Sequence, residues 1–160
     1  AGFDVLGDVE DAEVCLEFTT TRCTFECRHR VICIGMGDKI LVVDDDDVIR
    51  QLLTHRLESA GYTVRVAEDG RAAADLLQTE YEPAMAIFDI MMPRLDGTRL
   101  LRMVRNGELA VSPELPVIML TSRGQEEHVM EGFDSGADDY VTKPFRAQEL
   151  VARVKRYANA

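Results

Sequence analysis

Three aspartates, a threonine and a lysine stand far apart in this chain yet share one kind of position. Asp44 and Asp45 follow the apolar run Lys39-Ile-Leu-Val-Val43, and Asp89 follows Ala84-Met-Ala-Ile-Phe88. Thr121 and Ser122 follow Pro116-Val-Ile-Met-Leu120, and Lys143 with Pro144 follows Asp139-Tyr-Val-Thr142. If those runs lie side by side, three carboxylates, a hydroxyl and an amine meet on one rim. Carboxylates packed that closely repel, and one or more stays protonated without a countercharge. A hard cation removes the difficulty. Mg2+ takes one or two carboxylates, keeps several waters and accepts phosphate oxygens. The set therefore predicts a half-built site for Mg2+ and a phosphoryl group, with Asp89 as the nucleophile, since carboxylates form aspartyl phosphates. Lys143, a compact point charge, is expected to pair with Asp89 in the empty site and with a phosphate oxygen in the filled one. Thr121 would donate a hydrogen bond to the same group.

Each of these residues alone has a plainer reading. Aspartates ahead of a helix are usually caps and dipole partners, the role assigned here to Asp46 and Asp47. Asp96-Gly97 alone is a turn and the start of a helix, Lys143 alone a solvated lysine, and Tyr140 alone an aromatic at the core edge. The plain readings would have to hold independently at four separate strand ends.

The elements that must position these groups are legible in the periodicity. Five short Val- and Ile-rich runs, the fifth set being Tyr62-Thr-Val-Arg-Val66, alternate with stretches of helical spacing. The stripes are Val48, Leu52, Leu53 and Leu57, ended by Gly61; Ala73, Leu76 and Leu77; Leu100, Leu101 and Val104; Val129, Met130 and Phe133; and Leu150, Val151 and Val154. Strands alternating with helices give a parallel sheet covered on both faces. Right-handed crossovers then favour an α/β doubly wound, five-stranded flavodoxin-like sheet of order 2-1-3-4-5. In that order the first and third strands flank the crevice where function gathers, at the carboxyl ends of the strands.

Composition narrows the class. The 160 residues are 46% apolar and 29% charged, a globular balance, and 18 basic against 29 acidic side chains leave a net charge of −11. Such a surface repels a phosphate backbone, so direct nucleic-acid binding by this chain is not expected. No apolar run approaches the roughly 20 residues of a bilayer span. The starting expectation is a soluble, cytoplasmic protein.

Taken together, Ile40-Leu-Val-Val-Asp-Asp45, Phe88-Asp-Ile-Met-Met-Pro93 with Asp96-Gly97, Val117-Ile-Met-Leu-Thr-Ser122 and Gly136-Ala-Asp-Asp-Tyr-Val-Thr-Lys-Pro-Phe145 carry a resemblance. They resemble the receiver domain of two-component response regulators, in that family's order and spacing, over about residues 38–158. The resemblance implies a signalling switch and not an enzyme. A histidine kinase or histidine phosphotransfer protein would donate a phosphoryl group to Asp89 in a Mg2+-dependent reaction. Asp44 and Asp45 match the acidic metal-binding pair, with Asp45 the direct ligand, and Asp89 and the backbone carbonyl of Met91 complete the protein ligands. Lys143 and Thr121 match the phosphate-contacting lysine and the switch hydroxyl. Tyr140 matches the aromatic that turns inward with that hydroxyl, and Lys143-Pro144 is expected to be cis. The switch would remodel the face made by the fourth helix, fifth strand and fifth helix. Asp138-Asp139-Tyr140 and Glu149-Leu-Val-Ala-Arg153 resemble the subgroup that forms homodimers through that face, often fused to a winged-helix domain. Met91 and Arg123 hold the two positions that tune lifetime in the family, and an apolar Met91 implies slow self-dephosphorylation. Two other readings stay open: a receiver-like interaction module without phosphotransfer, and a Mg2+-dependent phosphohydrolase. The second needs a general acid–base beside the nucleophile, which Ile90, Met91 and Met92 do not supply.

Residues 1–37 differ in kind from the receiver-like stretch at 38–160. Val14 to Phe18 and Cys23 to Ile34 alternate at period two, which reads as a short β extension, a hairpin or the tail of an upstream segment. All four cysteines, Cys15, Cys23, Cys27 and Cys33, lie there without a close C-x2-C pair, so buried thiols are the expectation before a metal or a disulfide.

Overall fold

The structure, a computed structural model, describes residues 38–122 and 136–158. All of these fall in one compact unit, Ile34–Ala160. The expected N-terminal extension with its cysteines, the stripe at Val129, Met130 and Phe133, and Arg123 lie outside the described residues.

The five strands are β1 (Lys39–Val43), β2 (Thr63–Ala67), β3 (Met85–Asp89), β4 (Val117–Ser122) and β5 (Asp139–Lys143). They pair in parallel in the order β2-β1-β3-β4-β5. Helices α1 (Asp47–Ser59), α2 (Gly70–Leu77) and α3 (Gly97–Arg105) follow the first three strands, and a final helix, Ala147–Ala158, follows β5. Every residue of β3 is buried, whereas edge strand β2 is mostly exposed, as expected where helices cover the centre of a sheet on both faces.

The period-two geometry of the strands splits the core into two layers. Leu41, Val43, Ala86, Phe88, Val117 and Met119 point to one face, where they meet Ala73 and Leu77 of α2 and Leu100, Leu101 and Val104 of α3. Ile40, Val42, Met85, Ile87, Ile118, Leu120 and Val141 point to the other, against Leu53 and Leu57 of α1 and Leu150 and Val154 of the final helix. Each fully buried Leu, Ile or Phe contributes about 1.5–3 kcal/mol relative to exposure. These layers hold the strand ends in fixed register.

Two details of the expected pattern are corrected. Val48 and Leu52 are not core residues: they are 73% and 39% exposed. The buried seam of α1 runs through Leu53 and Leu57 with Ile49 packed beside it, a strict four-residue spacing that leaves positions 48 and 52 turned outward. The strands also run further than their apolar runs, because β3 takes in Asp89, β4 takes in Thr121 and Ser122, and β5 takes in Lys143. The α1 stop falls where Gly61 marks it. Gly61 has φ +96°, and the Tyr62 N–H donates to the Leu57 carbonyl and the Gly61 N–H to the Glu58 carbonyl, the two hydrogen bonds of a left-handed helix terminus.

Candidate functional site

The strand ends bring the expected residues to one rim. Asp44 directly follows β1 and Asp89 is the last residue of the neighbouring β3, whose Phe88 pairs with Val43. Leu120 pairs with Asp89, which sets Thr121 one step further along β4, and Ser122 pairs with Lys143 at the end of β5. One oxygen from each of Asp44, Asp45 and Asp89 lies within 4.8 Å of the others. Among the described residues this is the one such cluster of three or more ligating side chains. Oxygen-only donors of high negative charge suit a hard divalent cation better than a soft one.

The three carboxylates are not equivalent. Asp44 is fully buried and both its oxygens are engaged: Oδ1 accepts the Asp46 N–H at 2.9 Å and Oδ2 accepts Lys143 Nζ at 2.8 Å. Arg50 donates to the Asp44 carbonyl oxygen at 2.6 Å and pairs with Asp47, so the turn between β1 and α1 is tied down from the helix. Asp45 is exposed. Asp46 is the N-cap of α1, accepting the Val48 N–H at 2.9 Å, and Asp47 sits in the first turn, the cap and dipole roles expected of them.

Lys143 bridges the cluster from the far side. The expectation that it pairs with Asp89 needs refining. Its ammonium is 3.2 Å from Asp89 but 2.8 Å from Asp44, because the fully buried Asp44 carboxylate has the greater need of a countercharge. Burial, followed by the charge of Asp44, raises the Asp89 pKa from 3.8 to about 6, against the opposing charge and hydrogen bond of Lys143, with Asp45 adding a further push upward. Burial alone would lower the Lys143 pKa; the Asp44 hydrogen bond and the Asp89 and Asp44 charges more than offset this and raise it.

Thr121 is buried beside the cluster, and Tyr140 is half-buried against the α2/α3 layer, where burial raises its pKa. Met91 is 58% exposed at the start of the loop after β3. The Lys143–Pro144 peptide is cis. Asp138 and Asp139, singled out as subgroup markers, pair within the chain with Arg105 at 2.9 Å and Arg153 at 2.7 Å, and Arg153 also holds Glu149.

Gly97 starts α3 as expected, but its close approach to the strand end, and the parts played by Gly70 and Arg50, were not legible in the sequence. Gly97, the first residue of α3, stands so close to the Asp89 carbonyl that a Cβ there would lie 2.0 Å from its oxygen. Gly70, the first residue of α2, stands in the same relation to the Leu95 carbonyl. Each glycine follows an aspartate N-cap: Asp96 accepts the Arg99 N–H and Asp69 the Ala72 N–H, both at 2.8 Å. The repeated Asp-Gly pair was the available signal, but a turn explains such a pair equally well. Arg50 gave no signal beyond its place on α1.

Comparisons with known proteins agree with this geometry. Residues 40–155 match the family described as the response regulator receiver domain. The response regulator MprA of Mycolicibacterium vanbaalenii is 43% identical over 120 residues, covering 75% of this chain and 50% of that protein. The DNA-binding dual master transcriptional regulator RpaA of Synechocystis is 42% identical over 117 residues, covering 73% of this chain and 47% of its own length. The chain thus spans about half the length of these relatives. Among solved structures, the Francisella response regulator 1452 receiver domain superposes with a TM-score of 0.69 at 38% identity, covering 77% of this chain and 98% of that one. The receiver domain of the sensor histidine kinase PA1611 from Pseudomonas aeruginosa, solved with a magnesium ion in its active-site cleft, gives a TM-score of 0.69 at 28% identity, covering 78% and 99%.

Proposed function

The chain belongs to the response regulator receiver domain family, and from that premise we propose that it is a phosphorylation-activated switch whose acceptor is Asp89. The observation that carries the reading is the meeting of Asp44, Asp45, Asp89 and Lys143, from three separate strand ends, within one small rim. A histidine kinase or histidine phosphotransfer protein is the proposed donor. An Asp89 carboxylate oxygen attacks phosphorus, the P–N bond to the donor imidazole breaks, and its electron pair returns to the ring nitrogen. With a proton on its other ring nitrogen, the donor leaves as a neutral imidazole. The product is an aspartyl phosphate.

Mg2+ is the proposed cofactor: Asp45, Asp89 and the Met91 backbone carbonyl would hold it, and it would supply positive charge to offset the phosphoryl oxygens. Asp44 suits a supporting role, since its two oxygens already hold Lys143 and the Asp46 amide. Lys143 would exchange part of its carboxylate pairing for a phosphoryl oxygen, and Thr121 would donate its hydroxyl to another. Movement of Thr121 is proposed to draw Tyr140 inward and so reshape the surface around β5 and the final helix. Phosphorylation-dependent pairing of two copies through that surface is the proposed output, read by size-exclusion chromatography with and without the phosphoryl group.

A Mg2+-dependent phosphohydrolase is disfavoured, because the residues next to Asp89 are the buried Ile90 and the methionines Met91 and Met92, none an acid or base. The test is intact-mass measurement after incubation with Mg2+ and acetyl phosphate. Wild-type protein should gain one phosphoryl group and Asp89→Asn none. Equal labelling of both, or turnover of many donors per protein, would refute the proposal.

A further inference from the structure

The loop that leaves the proposed acceptor, residues 90–96, is held at three points. At one end Gly97 abuts the Asp89 carbonyl, and its N–H donates to Ile90 O at 3.0 Å. Near the other end Gly70 of α2 abuts the Leu95 carbonyl. The third point is an ion pair across the same gap, Arg94 Nη1 to Asp69 Oδ2 at 3.0 Å.

That ion pair joins two unusual residues. Asp69 is buried, its side chain 2% exposed. Its Oδ1 caps α2, but Oδ2 accepts no aligned hydrogen bond, so the Arg94 guanidinium is what faces the buried charge. Arg94 has φ +67° and is the one non-glycine residue with positive φ among those described. Arginine gains nothing from a left-handed backbone, a conformation that L-residues rarely adopt. Its side chain is 66% exposed, so apolar packing does not explain its presence either. The position bends the chain back so that a cation reaches from the loop to the start of α2. Met91, whose carbonyl is the proposed metal ligand, lies between the pinned points.

We infer that Arg94 is a positioning residue for the phosphoryl-transfer site, its ion pair with Asp69 fixing the 90–96 loop and with it the backbone of Met91, the proposed carbonyl ligand. This rests on the functional reading above and adds a residue to it. Groups that orient a ligand without touching the metal are worth about 10–100-fold in metal affinity elsewhere. Arg94 does not contact the reacting atoms, and its influence passes through the loop backbone.

The test is calorimetric titration of Mg2+ into unphosphorylated wild type, Arg94→Asn, Arg94→Lys, Asp69→Asn and the Asp69→Asn/Arg94→Asn pair, with thermal melting of each. Asparagine tolerates positive φ and lacks the charge, and lysine keeps the charge. Arg94→Asn should weaken Mg2+ binding about tenfold, with Arg94→Lys recovering most of the loss. The double variant should bind no worse than the weaker single one. Amide exchange at Gly97 should quicken in Arg94→Asn without metal. Unchanged Mg2+ affinity in Arg94→Asn would overturn the inference, as would losses that simply add or that follow the melting temperature with no rescue by lysine. A wild type that binds no Mg2+ would instead overturn the functional reading, and the inference with it.

Discussion

Asp89 is the residue on which charge, burial and chemistry meet. Its pKa near 6 means the folded, metal-free protein binds a proton there more tightly than the unfolded chain does. Its contribution to stability is therefore full below the unfolded value of 3.8 and is lost as pH rises through about 6. At pH 7 without divalent ions, Asp89→Asn should be more stable than wild type by about 1–3 kcal/mol, measured by urea denaturation, and Mg2+ should close the gap. The same protonation disarms the proposed nucleophile, so labelling by a small phosphodonor at low Mg2+ should fall as pH drops through about 6. Lys143 is the counterpart. Replacing it with alanine leaves Asp44 and Asp89 facing each other without a cation, and should cost about 2–4 kcal/mol at pH 7, partly restored by Mg2+. Met91 presents an exposed thioether that gives an attacking water no strong hydrogen bond. Met91→Asn should speed loss of the phosphoryl group, followed by intact mass over time; an unchanged decay would count against a role for this side chain.

The elements explain why such groups meet. The strands were legible because buried parallel strands are continuous Val- and Ile-rich runs, and the helices because their apolar positions recur at three and four. What the pattern missed is polar at a place where the rule says apolar. Asp89, Thr121, Ser122 and Lys143 belong to their strands by backbone pairing, but hydropathy ends each strand before them. Val48 and Leu52 failed in the opposite sense, being apolar residues of α1 that the sheet does not cover. The close approaches at Gly70 and Gly97 were invisible, since a sequence does not say which carbonyl will come to rest against a helix start. Gly97→Ala tests that level. Its Cβ must displace the Asp89 carbonyl, so it should cost about 1–3 kcal/mol and depress Asp89 labelling more than Asp96→Ala, which removes only a cap worth about 1 kcal/mol.

At the scale of the whole molecule the sheet works as a frame that presents one rim. Strands β1 and β3 are central neighbours, and the chain leaves them in opposite directions across the sheet, which opens the crevice where the acidic cluster lies. The strand order and the four motif segments could be read from the sequence because each repeats a rule along a long stretch. Arg50, Asp69 and Arg94 could not, because they act through contacts between segments that only the folded chain brings together. No helix among the described residues is long and apolar enough to cross a membrane. The central claim is that the carboxylate cluster recruits a divalent cation so that one of its members can take a phosphoryl group. The most direct measurement is peptide-level mass spectrometry after incubation with acetyl phosphate, with Mg2+ and with a chelator. A phosphoryl group confined to the peptide bearing Asp89, and present only with Mg2+, is the predicted result; a label on another residue, or one that forms equally well in the chelator, would contradict the account.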